Sequence, residues 1–310
     1  MAGIIDQSYL GGPPEERESA DDRNNTAANL FLWLLLALYT GARLVQLFPD
    51  NVPVGVIAAM HIIPVTVFVL AHGARLYRWR GILIFVGLEL IVGNCFENLS
   101  VRTGFPFGHY YFTDLMGPKI LAVPIFLGLA YVGMGYLSWI LARIILGDMR
   151  PLVTGSRVVT LPLVAAFIMV GWDMSQEPIW GTVLHLWIWK QGGAYFGVPV
   201  SNFFGWYLTV YVFYQLFALY LWKRAANISP VESGHIRFAV LFYAVSAAGN
   251  TLLAIPRTDP QMVSDATGAQ WRVSDIIGAC TMISIFVMGA FAVLAWVRLA
   301  EQKPGRRTLS

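Results

Sequence analysis

The chain has little charge and almost no cysteine. Only 13% of its 310 residues are Asp, Glu, Lys or Arg, about half the share found in an average soluble domain. Its two cysteines, Cys95 and Cys280, lie far apart inside apolar segments, so the sequence predicts neither a disulfide framework nor a thiolate metal site. The net charge of +3 falls mostly in short loops and the C-terminal tail, which argues against nucleic acid as a partner.

Motifs for metals and cofactors are also missing. No group of His, Cys, Asp and Glu has the spacing of metal ligands. The glycines at 104, 108, 192 and 193 lack the preceding strand, following helix and lysine of a phosphate-binding loop. No fingerprint of a redox cofactor occurs. The sequence therefore predicts a protein that requires neither a metal ion nor a cofactor.

Apolar residues are abundant. They make up 57% of the chain, and the mean hydropathy is +0.60. About 20 consecutive apolar residues are needed for a helix to cross a bilayer, and such runs recur along the sequence. We predict an all-α, polytopic integral membrane protein surrounded by lipid, with about eight spans near residues 29–48, 53–74, 81–96, 120–146, 158–174, 202–222, 238–255 and 275–297.

Basic residues follow every second span. Cytoplasmic loops of membrane proteins carry an excess of Lys and Arg, so this alternation predicts that both termini are cytoplasmic. The links after the third and fifth spans then share the opposite face. The basic residues are Arg75, Arg78 and Arg80, then Arg143, Arg150 and Arg157, then Lys223, Arg224 and Arg237, and finally Arg298, Lys303, Arg306 and Arg307.

Three regions are predicted. Residues 1–27 are acidic and rich in Gly, Pro and Ser, which is typical of a disordered tail. Residues 28–298 form a single transmembrane helical domain. Residues 299–310 form a basic C-terminal tail.

Three carboxyl groups, those of Glu89, Glu97 and Asp173, lie within or at the ends of the apolar spans, and Glu177 follows shortly after the fifth span. An ionised carboxylate at the centre of a span costs roughly 2.5 to 3.5 kcal/mol, so its presence calls for a function or a partner. Because burial disfavours the charged form, such a residue can serve as a proton donor to an apolar substrate. Asp173 and Glu97 are the main catalytic candidates, and Glu89 is the weakest. Glu177 is a supporting candidate. Pro178 predicts a helix end between Asp173 and Glu177, so Glu177 can turn either toward the site or toward the lipid headgroups.

The two non-cytoplasmic links are rich in aromatic residues. Ring faces stabilise cations, although aromatic belts at a membrane interface give the same density without any function. We favour the belt interpretation for Trp187 and Trp189, which adjoin Lys190. The residues predicted to bind substrate are Phe105, Phe107, His109, Tyr110, Asp114, Trp172, Tyr195, Phe196 and Asn202.

Two motifs in these links resemble a known family. They are TGFPFGHY at residues 103–110, with Gly-Pro-Lys at 117–119, and Trp172-Asp173 followed by YFGVPVSNFFGW at residues 195–206. The chain resembles the membrane carotenoid-biosynthesis proteins that include bisanhydrobacterioruberin hydratase and the γ-carotene end-group hydratase. The resemblance covers residues 97–206. Where the family has Asp-Pro after the Trp-Asp pair, this chain has Glu177-Pro178.

The resemblance implies addition of water across a terminal isoprenoid double bond. A buried carboxylic acid would protonate the alkene, and aromatic rings with a carboxylate would stabilise the tertiary cation until water attacks. Ser201 and Asn202, together with Glu177, are predicted to hold that water. The implied partners are a lipophilic isoprenoid or carotenoid substrate and other enzymes of the pathway.

Two other functions fit the same residues. Protonation in a water-poor pocket would lead to cyclisation, as in a proton-initiated membrane terpene cyclase. A transporter also uses carboxyl groups inside the membrane, but these lie near the middle of broken helices. Glu97 and Asp173 instead fall at the ends of predicted spans, beside the aromatic links.

Overall fold

A computed structural model describes residues 14–48, 51–148, 153–224, 233–254 and 261–301. The predicted all-α fold is confirmed. The helices are α1 (Pro14–Val45), α2 (Val54–Thr103), α3 (Ile125–Ile145), α4 (Arg157–Met174), α5 (Val200–Lys223), α6 (Ser233–Leu252), α7 (Val273–Ile283) and α8 (Gly289–Glu301). Six short strands lie in the links: β1 (Tyr110–Phe112), β2 (Lys119–Ile120), β3 (Val123–Pro124), β4 (Trp187–Trp189), β5 (Met262–Ser264) and β6 (Gln270–Arg272).

Helix α2 is a helical hairpin. Its backbone leaves the helical region at Arg78, where φ is 59° and ψ is 164°. The side chain of Ile82 lies against the Cα of Gly73, although nine residues of a straight helix would separate them by roughly 13.5 Å. The chain therefore folds back at Arg78, between the predicted second and third spans.

The helices have the length and composition of membrane spans. Six segments of the described chain qualify: Thr26–Val45, Gly55–Thr103, Ile125–Ile145, Arg157–Val183, Val200–Lys223 and Val273–Glu301. The outer faces of several carry large exposed apolar side chains, such as Leu30 at 64% and Phe286 at 73% exposure. Such an extensive apolar surface is expected where lipid is the solvent. The segment Gly55–Thr103 covers the predicted second and third spans. The one predicted span left over, at residues 238–255, corresponds to α6, which is not among the six segments.

Helix α3 lies at the centre of the bundle. It packs against α2, α4, α6 and α8, and its side chains are buried almost continuously from Tyr131 to Ile144. Glycines allow the close approach of neighbouring helices. At Gly133, for example, an added Cβ would lie 2.7 Å from Cγ1 of Val65 in α2.

The N-terminal region differs from the expected disordered tail. Helix α1 begins at Pro14, so only residues 1–13 of that region lie outside the described chain. Proline suits the first position of a helix, and the Glu and Asp residues that follow favour a helix N-terminus. At the other end α8 continues to Glu301, and the rest of the predicted basic tail, residues 302–310, lies outside the described residues.

The link after α2 packs closely on α5. An added Cβ at Gly205 would lie 2.9 Å from the backbone carbon and oxygen of Pro106 and 2.6 Å from Cδ1 of Phe107. Because backbone atoms cannot rotate away, Gly205→Ala is expected to reduce the free energy of unfolding by about 1–3 kcal/mol, measured by thermal unfolding in detergent. Gly87→Ala, on α2 with open space around it, is the control and should cause no loss. Equal stability of the two variants would contradict this packing.

The two aromatic links lie together at one end of the bundle. Strand β1 from the first pairs with β4 from the second, so single cysteines placed at the exposed positions Tyr111 and Ala194 should react with a membrane-impermeant maleimide from the same side. Charge alternation predicts the non-cytoplasmic side. The variants are best made with Cys95 and Cys280 replaced by serine. Labelling of the two sites from opposite sides would contradict the shared location.

Candidate active site

A two-stranded antiparallel ribbon joins the two aromatic links. Tyr110 pairs with Trp189, and Phe112 pairs with Trp187. Alternate residues of a strand point to the same face, so these four side chains share one face, and all four are buried. Tyr111, between Tyr110 and Phe112, is 47% exposed on the opposite face.

The ribbon places a hydrogen-bond donor on Glu97. Glu97 lies near the end of α2 and is 3% exposed, and the hydroxyl of Tyr110 donates to its Oε2. Burial and the nearby carboxyl groups of Glu97 and Glu177 raise the pKa of Tyr110 well above its usual value. Tyr110 therefore remains protonated at neutral pH and keeps its proton available for this hydrogen bond.

The opposite strand places two donors on Glu177. The indole Nε1 atoms of Trp187 and Trp189 lie 2.6 Å and 2.8 Å from the same oxygen, Oε1. Glu177 is 3% exposed. Hydrogen bonds to a carboxylate favour its charged form, so of the acids at this end of the bundle Glu177 is the best suited to carry a negative charge.

Asp173 occupies the last turn of α4. It is 6% exposed, and Nδ2 of the buried Asn202 lies 3.4 Å from its Oδ2. Helix α4 ends at Met174, and a turn at residues 175–176 precedes Glu177. The regular α-helix thus ends between Asp173 and Glu177, but the predicted end of the span does not fall there, because helical structure resumes at Glu177 and continues as a π-helix at Ile179–Val183. Both carboxyl groups are buried.

Tyr131 of α3 lies in the neighbourhood of all three carboxyl groups. Its hydroxyl lies within electrostatic range of Glu97, Asp173 and Glu177. The centroid of the Tyr131 ring lies 4.3 Å from the centroid of the Trp206 ring. It lies 6.2 Å from the centroid of the Trp172 ring, and these two rings meet edge to face. The site thus combines three acids with a wall of aromatic rings, which Phe107 extends by stacking on Trp206.

Some of these residues were missed by the sequence analysis. Tyr131 lies inside an apolar helix that carries no local sign of a site, and Trp206, although it ends the second motif, was not among the residues predicted to bind substrate. The belt interpretation of Trp187 and Trp189 was wrong, because both rings are buried and donate to Glu177. Their spacing of two residues, followed by Lys190, suggested an interface, whereas the pairing of β1 with β4 depends on contacts distant in sequence.

Three residues predicted to bind substrate lie away from this cluster. The ring of Phe105 is 57% exposed. Asp114 is exposed and forms an ion pair with Lys119 at 3.3 Å. His109 is also exposed, with its ring packed over Gly104. Only one face of an aromatic loop can pack against the protein. These three side chains lie on the opposite, exposed face.

Tyr195 and Phe196 lie at the edge of the site, and both are half-buried. The hydroxyl of Tyr195 donates to the carbonyl of Met174 at 3.1 Å, next to Asp173. Phe196 points further outward, where its ring meets Trp271 edge to face at 5.5 Å. Tyr195 therefore borders the carboxyl groups, and Phe196 supports it from outside.

Glu89 lies apart from the other acids. It precedes Glu97 by eight residues on α2, roughly 12 Å along the helix axis, and its carboxyl group rests against Gly135 of α3. Neither oxygen has a hydrogen-bond partner among the described residues. Over the same residues, no three His, Cys, Asp or Glu side chains are placed to hold a metal ion.

Comparison with known proteins gives one match. A family model described as carotenoid biosynthesis protein matches residues 56–269, a range that includes every residue of the site. Neither the curated proteins nor the solved structures give a match. The match covers more than half of the chain, and the chain is therefore a member of the carotenoid biosynthesis protein family.

Proposed function

We propose that this protein is a membrane-embedded hydratase that adds water across a terminal double bond of an isoprenoid or carotenoid. The observation that carries the proposal is the convergence of three buried carboxyl groups on an aromatic wall at one end of the bundle. Family membership supports a role in carotenoid biosynthesis. The specific reaction is inferred from the chemistry that these side chains allow.

Asp173 is the proposed proton donor. Its only side-chain hydrogen-bond partner in the described structure is Asn202 at 3.4 Å, so its charged form has less support than that of Glu177. In the first step the Asp173 proton forms a C–H bond with the less substituted alkene carbon. The π bond breaks, the other carbon becomes a tertiary cation, and Asp173 becomes a carboxylate.

Glu177 and the aromatic wall are the proposed stabilisers of that cation. Fixed charges act strongly in a site without bulk water, and two indole donors hold Glu177 in place. The faces of Tyr131, Trp172 and Trp206 add a cation–π contribution. Water then forms a C–O bond with the cation and gives its extra proton to a carboxylate. The net reaction is the addition of one water, which requires no oxidant or reductant.

Cyclisation is the alternative that shares the first step. The dense aromatic wall favours it, because rings protect a cation while a second double bond attacks. The product would then be an isomer of the substrate. The position of Glu97 in the last two turns of α2, beside the aromatic links, favours either enzyme over a transporter, whose acids lie nearer the middle of the membrane.

Expression of the protein in cells that make a linear carotenoid tests the proposal. The lipid extract should contain a carotenoid heavier than the substrate by one water, detected by mass spectrometry. An isomer of unchanged mass with a ring would instead establish the cyclase. An unaltered carotenoid profile, with the protein present in the membrane, would contradict both.

A further inference from the structure

Two buried amides beside Asp173 each have one polar atom without a partner. Asn202 is 1% exposed, and its Nδ2 is the atom that contacts Asp173. Its Oδ1 has no hydrogen-bond partner within the described ranges, and neither has Nε2 of Gln176, which is 5% exposed. Buried polar atoms are almost always paired with protein or water, so each of these two atoms calls for a small polar partner such as water.

Both residues lie close to Asp173, Asn202 by contact and Gln176 three residues further along the chain. The oxygen and nitrogen of an amide share one carbon, so Oδ1 of Asn202 lies beside the carboxyl group that Nδ2 contacts. Gln176 immediately precedes Glu177, and its backbone N–H donates to the carbonyl of Asp173 at 2.9 Å. Residues three apart in a helical turn share a face, so the donor of Gln176 belongs to the side of the chain that carries Asp173, where Asn202 offers an acceptor.

We propose that Gln176 and Asn202 hold the attacking water and so direct the cation toward the alcohol. The assignment rests on the proposed hydratase function. The water would accept a hydrogen bond from Nε2 of Gln176 and donate one to Oδ1 of Asn202, which meets the two to four partners that a buried water needs. The second hydrogen of the water can then be donated to a carboxylate, and one lone pair of its oxygen is left to attack the cationic carbon.

Ser201, which the sequence suggested for this role, can offer the water an acceptor but no donor. Its hydroxyl donates its only proton to the carbonyl of Phe107 at 2.8 Å. That hydrogen bond joins α5 to the first aromatic link. Gln176 supplies the donor that Ser201 lacks.

A cation without a held water has another fate. A methyl group next to the cationic carbon loses a proton to the Asp173 carboxylate, and the C–H electrons form a new double bond. The product is an isomeric alkene with a terminal methylene, and the acid is restored. Alcohol and isomer arise from one cation, so their ratio reports on the water site, and deuterium uptake reports on the acid step.

The test uses Gln176→Met and Asn202→Leu, which preserve approximate size and remove the polar atoms. Purified variants are incubated in deuterium oxide with a linear carotenoid that has a terminal isopropylidene group. Each variant is expected to lower the ratio of alcohol to isomeric alkene about tenfold, the scale of one lost hydrogen bond. Deuterium should still enter the isomer and recovered substrate. Gln215→Leu, which removes an α5 amide that donates to the carbonyl of Val158 at 3.0 Å, should leave the ratio unchanged.

Two results would overturn the assignment. If alcohol and deuterium uptake fell together in a folded Gln176→Met variant, or if the ratio were unchanged in that variant, the amides would not hold the water. The result for Gln176→Met is sufficient by itself to test the assignment, so the test does not depend on the folding of Asn202→Leu. A wild-type protein that takes up deuterium but makes no alcohol would instead overturn the hydratase proposal, and this assignment with it.

Discussion

Asp173→Asn is expected to lower turnover by about 10²- to 10⁴-fold, the usual contribution of a general acid. The amide keeps the shape of the side chain and its neighbour Asn202, but it has no acidic proton to give to the alkene. Turnover is measured with purified protein in detergent or lipid, from the rate at which the substrate disappears.

The matched control is Asp275→Asn, an exposed aspartate at the start of α7. It makes the same chemical change outside the site and should leave turnover within about twofold of the wild type, as expected for surface substitutions. An Asp173→Asn variant with near wild-type turnover would show that another group donates the proton.

Glu177→Gln is expected to lower turnover by about 10²- to 10³-fold, similar to the loss of one preorganised electrostatic group in other enzymes. The amide oxygen can still accept from Trp187 and Trp189, so the geometry of the ribbon should persist while the negative charge disappears. The loss should appear in kcat more than in KM, because the charge stabilises the cation rather than the neutral substrate.

Removing the two indole donors tests the positioning of the Glu177 carboxyl group separately from its charge. Replacing both Trp187 and Trp189 with Phe keeps the carboxyl group of Glu177 but leaves its Oε1 buried without donors. The double variant should lower kcat as well, whereas Trp222→Phe, at an exposed position on α5, should not. Unchanged kcat in Glu177→Gln would contradict the assigned role of this carboxyl group.

Much of the fold follows from the sequence for a simple physical reason. Apolar runs of about 20 residues have few stable states other than helices in a bilayer, so hydropathy alone places the helices. The reversal within α2 could also be expected, because Arg75, Arg78 and Arg80 interrupt an apolar stretch that is too long for a single crossing. The helical start of α1 at Pro14 was missed because the acidic composition suggested disorder.

The site was predictable only where a residue is costly in its local context. Glu97 and Asp173 stand out because a carboxyl group in an apolar span needs a reason, and Pro178 revealed the turn that brings Glu177 to them. Tyr131 carries no such signal, since aromatic residues are ordinary in membrane helices, and Trp206 is marked only by its position at the end of the second motif. Their role depends on the packing of α3 against α4 and α5, which no short stretch of sequence specifies.

The most direct test of the account follows the origin of the atoms in the product. Purified protein is given a linear carotenoid in a mixture of oxygen-18 water and deuterium oxide, and the product is analysed by mass spectrometry and NMR. Protonation followed by water capture predicts a tertiary alcohol with heavy oxygen on the substituted carbon and deuterium on the adjacent carbon. An alcohol whose oxygen comes from dissolved gas, or one without deuterium at the adjacent carbon, would contradict the proposed hydration.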